Sequence, residues 1–172
     1  MCIRDRLEVA RADGSITSVE LRGTGPAFCA GGDLDEFGAF ADPASAHVVR
    51  LEHSVGRALA VLGDRLTAYV HGACYGSGIE LPAFAATLVA DPDARFALPE
   101  LELGLVPGAG GTVSLTRRIG RHRTAWLGLT GRAIDAATAR SWGLVDRVEP
   151  VAPAPGHGSG GASNPDARRS SA

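Results

Sequence analysis

Read for the spacing of its apolar positions, the chain switches repeatedly between the period of a strand and that of a helix. Residues 16–21 alternate apolar and polar side chains, and residues 66–70 (LTAYV) form a short apolar run that fits a buried strand. Between them Val48, Leu51, Val55, Leu59 and Leu62 step by three or four. That spacing puts them on one face of a helix expected over 44–62, opened by Asp42-Pro43 and ended by Gly63-Asp64. Further along, the pattern predicts a helix over 79–86, strands over 87–90 and 95–98, and helices over 112–119, 124–129 and 135–142. Gly131 and Gly143 act as stops, and 144–148 is read as a last strand. Residues 7–10 are read as a strand, and the opening MCIRDR as unlike the start of any packed element. A helix-then-strand cycle repeating from residue 44 onward argues for an α/β fold with a mainly parallel sheet.

Composition sets the outer limits. A chain of 172 residues fits one domain, and 45% hydrophobic with 21% charged residues is ordinary for a globular protein. From Pro150 the sequence turns to Pro, Gly, Ser and Ala with almost no large apolar side chain. The reading is therefore a core domain over 7–149 and a disordered tail over 150–172, where His157 has no ligand partner. A net charge of −2 argues against nucleic acid as a partner. No apolar run reaches membrane-spanning length and no charged-then-apolar leader opens the chain. Cys2, Cys29 and Cys74 lack disulfide-framework or metal-ligand spacing, so a reducing compartment, by default the cytoplasm, and no bound metal are expected. His47 and His53 are read as surface residues, and Trp126 and Trp142 as core rather than interface.

Candidate chemistry gathers in two small-residue loops, each running into a helix. One is Ala30-Gly31-Gly32-Asp33, with Asp33 as a helix cap; the other is Gly76-Ser77-Gly78, with Glu80 in the first helical turn. Backbone N–H groups are free at such helix starts, and a helix dipole adds partial positive charge. Two such donors aimed at one oxygen make an oxyanion hole, and losing one costs about 3–4 kcal/mol. Glu80 and Glu100 supply two carboxylates that can divide acid and base roles. The later glycine-rich loop over 103–112, with Gly108, lacks the lysine of a phosphate-cradling loop and the glycine spacing of a dinucleotide site. Ser77 is not in a nucleophile elbow, because Tyr75 and Ile79 occupy the places that need glycine.

The blocks AFCAGGDL (27–34), HGACYGSGIELPA (71–83) and PELELGLVPGAGGT (99–112) resemble the signature blocks of the enoyl-CoA hydratase/isomerase (crotonase) superfamily. GRAIDAATARSWGLVDRV (131–148) resembles the helix and strand that follow, so the likeness covers about residues 16–148 in matching order. It implies a crotonase-like β-β-α superhelix core. It also implies that Gly32 and Ser77 give the oxyanion-hole N–H groups, that Glu80 activates water and that Glu100 handles the α-carbon proton. Ala30, Gly31, Asp33, Gly76, Gly78 and Gly108 are then the substrate-binding surroundings. An acyl-CoA thioester is the implied partner, no cofactor is implied, and a homotrimer or hexamer is the implied assembly. The activity implied is hydration of a 2-enoyl-CoA; enoyl-CoA isomerisation and a non-catalytic acyl-CoA-binding fragment stay open. Against the family pattern, Ser77 stands where hydratases commonly have glycine, and the family's first β-α portion and its C-terminal helices are not matched. The chain is accordingly expected to be truncated at both ends.

Overall fold

A computed structural model describes residues 3–32, 42, 48 and 54–155. Five α-helices are described: α1 (Ile3–Ala12), α2 (Val55–Leu62), α3 (Ser77–Glu80), α4 (Gly111–Thr130) and α5 (Ala136–Trp142). Seven strands are described: β1 (Val19–Arg22), β2 (Leu66–Val70), β3 (Ala73–Tyr75), β4 (Thr87–Ala90), β5 (Arg95–Ala97), β6 (Ile134–Asp135) and β7 (Arg147–Val148). They build two sheets. One is parallel throughout, in the order β1-β2-β4-β7, with Leu21 opposite Ala68 and Ala68 opposite Leu88. The other is β3-β5-β6, in which β3 and β5 run parallel and β6 antiparallel.

Strand β4 is buried at three successive positions, Leu88 to Ala90, as expected of a strand covered on both faces, whereas β2 alternates, with Leu66, Ala68 and Val70 buried and Thr67 and Tyr69 half-buried. Leu66, Ala68, Val70, Leu88, Val89 and Ala90 are all fully buried, and Leu59, Ile79, Phe96, Leu115, Leu127 and Leu144 close the core around them. Each large side chain taken from water there contributes about 1.5–3 kcal/mol. Arg118 on α4 stitches this core through polar groups. Its guanidinium donates to the carbonyls of Ala83 and Leu144, each at 3.0 Å, to that of Ala85, and to Asp146 Oδ2 at 3.0 Å.

Several expectations need correction. Residues 7–10 are not a strand but part of α1, which also takes in residues 3–6 of the opening segment. The buried pair Leu7 and Ala10 is three residues apart, a helical spacing, and Glu8 pairs with Arg11 across one turn at 2.7 Å. Of the helix expected over 44–62, α2 is described from Val55, with Ser54 as its cap; Val48, assigned to the buried stripe, is 51% exposed. The remaining residues of 43–53, with His47 and His53, lie outside the described residues.

The helix expected over 79–86 begins earlier and is cut short. It is the single turn of α3, followed by a 3₁₀ turn at Pro82–Phe84, because proline has no N–H to extend an α-helix. The helices expected over 112–119 and 124–129 are two halves of α4, broken at Gly120 (φ 76°, ψ 162°). Strands β3 and β6 were not anticipated. Two or three residues carry no readable period, and pairing across the sheet creates them.

Packing also continues past 149, the boundary drawn from composition. Val151 is buried and donates to Asp91 Oδ2 at 2.8 Å, and Ala154 pairs with Thr24. The rest of the tail, 156–172, lies outside the described residues. Trp126 and Trp142 meet edge to face at 5.5 Å, and Trp126 is 39% exposed, so this pair caps the core rather than filling it. No helix among the described residues is long and apolar enough to cross a membrane.

Candidate active site

Three parallel segments deliver the candidate residues to one place. Cys29 bridges Cys74 in parallel, and Cys74 pairs with Phe96 on β5. Strands that pair in parallel leave the sheet in the same direction. Counting on from that row, Gly32 and Ser77 each lie three residues beyond it, and Glu100 lies four residues beyond Phe96. One turn of α3 then places Glu80 next to Glu100. The result is a cavity of about 270 Å³ lined by Gly32, Ser77, Glu80, Glu100, Leu105, Val106, Gly108 and Ala109.

The backbone N–H groups of Gly32 and Ser77 make no hydrogen bond within the backbone network of the described residues. Ser77 opens α3, so no carbonyl one turn earlier is available to it. With one turn only, α3 has little dipole of its own, so any pull of this corner on an anion would come from the individual N–H groups rather than from a macrodipole. The Ser77 hydroxyl lies 3.7 Å from the Cys29 thiol, which ties the two loops together.

Glu80 is 2% exposed. Its Oε2 accepts from Gly111 N–H at 2.7 Å and Ala109 N–H at 3.0 Å, so the start of the long helix α4 holds this carboxylate in a fixed orientation. Burial pushes its pKa up, and the Glu100 charge adds to the rise, while the N–H bonds from Gly111, Ala109 and Gly110 oppose it. Glu100 stands at the start of the 3₁₀ segment Glu100–Leu103. Burial raises its pKa too, against hydrogen bonds from its own backbone and from Glu80 that lower it. Its Oε2 is buried with no hydrogen-bond partner among the described residues. Two carboxyls that favour holding a proton, facing one cavity, can pass a proton to and from a bound molecule.

Of the residues singled out from sequence, Gly32, Ser77, Glu80, Glu100 and Gly108 line the cavity. Gly76 and Gly78 sit behind it and serve the protein's own packing. A Cβ at Gly76 would lie 2.6 Å from Glu100 Oε1, and one at Gly78 would lie 2.1 Å from the Cys29 carbonyl oxygen. Gly31 takes a left-handed turn (φ 120°) against the Tyr75 carbonyl, and Ala30 is exposed beside it. Asp33 lies outside the described residues. Sequence reasoning missed Ala109 and Gly111 as the clamp on Glu80, although a glycine-rich loop opening a long helix is a general signal for anion binding. Here that anion is the protein's own side chain. Among the described residues there is no group of His, Cys, Asp and Glu that could hold a metal ion.

Comparison with known proteins settles the lineage. The family model described as enoyl-CoA hydratase/isomerase matches residues 3–154. The chain belongs to the enoyl-CoA hydratase/isomerase family. It is 37% identical over 159 residues to a mevalonyl-coenzyme A hydratase of Beauveria bassiana, covering 81% of this chain and 52% of that protein. It is 36% identical over 150 residues to the 2,3-dehydroadipyl-CoA hydratase of Escherichia coli, covering 87% and 58%. The crystal structure of an enoyl-CoA hydratase subunit from Geobacillus kaustophilus superposes with a TM-score of 0.76 at 33% identity, over 85% of this chain and 56% of that one. The fold is therefore the crotonase fold expected from the sequence, and the chain spans about half the length of the curated relatives it matches.

Proposed function

We propose that the site hydrates a 2-enoyl-CoA thioester to the 3-hydroxyacyl thioester, without a cofactor. The observation that carries this reading is the meeting of two N–H groups, Gly32 and Ser77, without a backbone partner among the described residues, with the carboxyls of Glu80 and Glu100 around one cavity. The thioester oxygen accepts from the two N–H groups. Glu80 takes a proton from water as its oxygen bonds to the β-carbon, and the displaced π electrons move onto the thioester oxygen. As the enolate collapses, the α-carbon takes a proton from Glu100. The fixed orientation of Glu80 favours it as the partner of water, which leaves Glu100, whose Oε2 is buried with no hydrogen-bond partner among the described residues, as the proton donor. Loss of one oxyanion donor in such a step costs about 100- to 1,000-fold in turnover.

The test follows the absorbance of the conjugated enoyl thioester of crotonyl-CoA, with wild type, Glu80→Gln and Glu100→Gln side by side. Absorbance should fall with wild type and fall at least 100-fold more slowly with each variant. A variant that turns over at the wild-type rate refutes the two-carboxylate mechanism. Enoyl-CoA isomerisation passes through the same enolate but adds no water, so mass analysis of the product separates it from hydration. The same family reading carries a homotrimer or hexamer, which sedimentation of the full chain measures.

A further inference from the structure

Val106, Gly108 and Ala109 form an edge shared by two cavities, one on each side. One side is the carboxylate cavity. The other is a groove of about 490 Å³ whose lining includes Phe84, Val106, Pro107 and Val113 together with Arg57 and Arg117. We infer that this groove receives the far end of the acyl chain, and that Arg57 and Arg117 select chains ending in a carboxylate. This inference rests on the hydratase reading above.

Direction comes from the order of residues along one segment. Ser77 offers its N–H, Glu80 comes one turn later, and Phe84 follows within the next 3₁₀ turn. A thioester whose oxygen lies at Ser77 and whose reacting carbons lie between Glu80 and Glu100 therefore runs on toward Phe84. The sulfur and its CoA leave the carbonyl on the opposite side. The Phe84 ring forms one side of the groove and is seated against two glycines. A Cβ at Gly110 would come within 2.9 Å of the Phe84 ring, and one at Gly56 within 3.1 Å of it and 2.6 Å of the Ala109 carbonyl oxygen.

Charge complements this shape. Arg57 on α2 and Arg117 on α4 are exposed, and neither guanidinium has a hydrogen bond or ion pair among the described residues. The adjacent Arg118, by contrast, uses its guanidinium on backbone carbonyls and Asp146. Among the described residues no Asp or Glu lines the groove. A groove with apolar walls and two guanidinium groups unpaired among the described residues suits methylenes followed by a carboxylate, which arginine binds through paired N–H donors.

Two matched series test this on the full chain. The first is equilibrium binding of saturated CoA thioesters of six and eight carbons, each with and without a terminal carboxylate. The second is kcat/KM for the corresponding 2-enoyl thioesters. Wild type should bind and hydrate the carboxylated member of at least one pair about tenfold better. The double variant Arg57→Gln/Arg117→Gln should bring that ratio to about one, and Arg57→Lys/Arg117→Lys should retain part of it. A wild type without preference at either length overturns the proposal. So does a double variant that weakens both members of a pair alike, because the guanidiniums would then serve the CoA portion common to both. A wild type that hydrates neither member defeats the hydratase reading instead, and the binding series still decides the anion subsite.

Discussion

Gly78 is where a single methyl group should separate the two halves of the proposed oxyanion hole. It sits in α3 directly under the Cys29 carbonyl, and a Cβ there would lie 2.1 Å from that oxygen and 3.0 Å from Cys29 Cβ. Ordinary contact needs about 1 Å more at the least, and both sides are backbone, so no rotamer change relieves the overlap. The Cys29 oxygen also accepts from Tyr75 N–H at 3.0 Å, and Cys29 N–H donates to Ala73 at 3.2 Å. Gly78→Ala therefore has to move the 29–32 loop away from α3 and strain these two bonds. Overpacking and two weakened hydrogen bonds together cost about 2–6 kcal/mol of stability. The catalytic effect should be larger than this alone suggests. A displacement of about 1 Å between the Gly32 and Ser77 donors costs about 100-fold in kcat.

The assay is crotonyl-CoA hydration, with a thermal melt at the assay temperature to establish that the variant is folded. Gly128→Ala is the control. Nothing lies within 4 Å of its added methyl group, and it sits inside α4, so the same substitution should stabilise by about 0.5–1 kcal/mol. A folded Gly78→Ala protein with kcat within about threefold of wild type would show that the loop contact does not set the donor geometry.

Two other predictions concern stability. Arg118→Met should cost about 3 kcal/mol or more, read as a lowered midpoint in urea, because the Ala83, Ala85 and Leu144 carbonyls and Asp146 lose their shared partner together; an unchanged midpoint would refute the stitching role. Glu100→Gln should raise the Tm at pH 8 relative to wild type and do so much less at pH 4. The folded pKa of Glu100 lies above its unfolded value, so the native state holds this proton more tightly. Its stabilising contribution is present below the unfolded pKa and is lost as pH rises through the folded one. A Tm difference independent of pH would show that Glu100 is not destabilised by its burial.

The chain by itself determined a good deal. Short apolar runs gave β2 and β4, and a glycine stop gave the end of α5. The order of the glycine-rich blocks and the two glutamates was enough to suggest a family and name its candidate residues. These features are local, carried by period, turn chemistry and motif spacing, and so survive in one dimension. What needed the tertiary structure was everything made by pairing distant segments. Strand β3 exists because β5 lies beside it, and the Cys29–Cys74–Phe96 row sends Gly32, Ser77 and Glu100 out on one side. Gly76 and Gly78 read as room for a ligand, whereas a Glu100 oxygen and the Cys29 carbonyl occupy that room. The adjacent arginines 117 and 118 look alike in sequence. One residue's step along α4 sends Arg118 inward to backbone carbonyls and Asp146 and leaves Arg117 facing the groove, because a helix points successive residues about 100° apart and the fold alone decides which direction is inside.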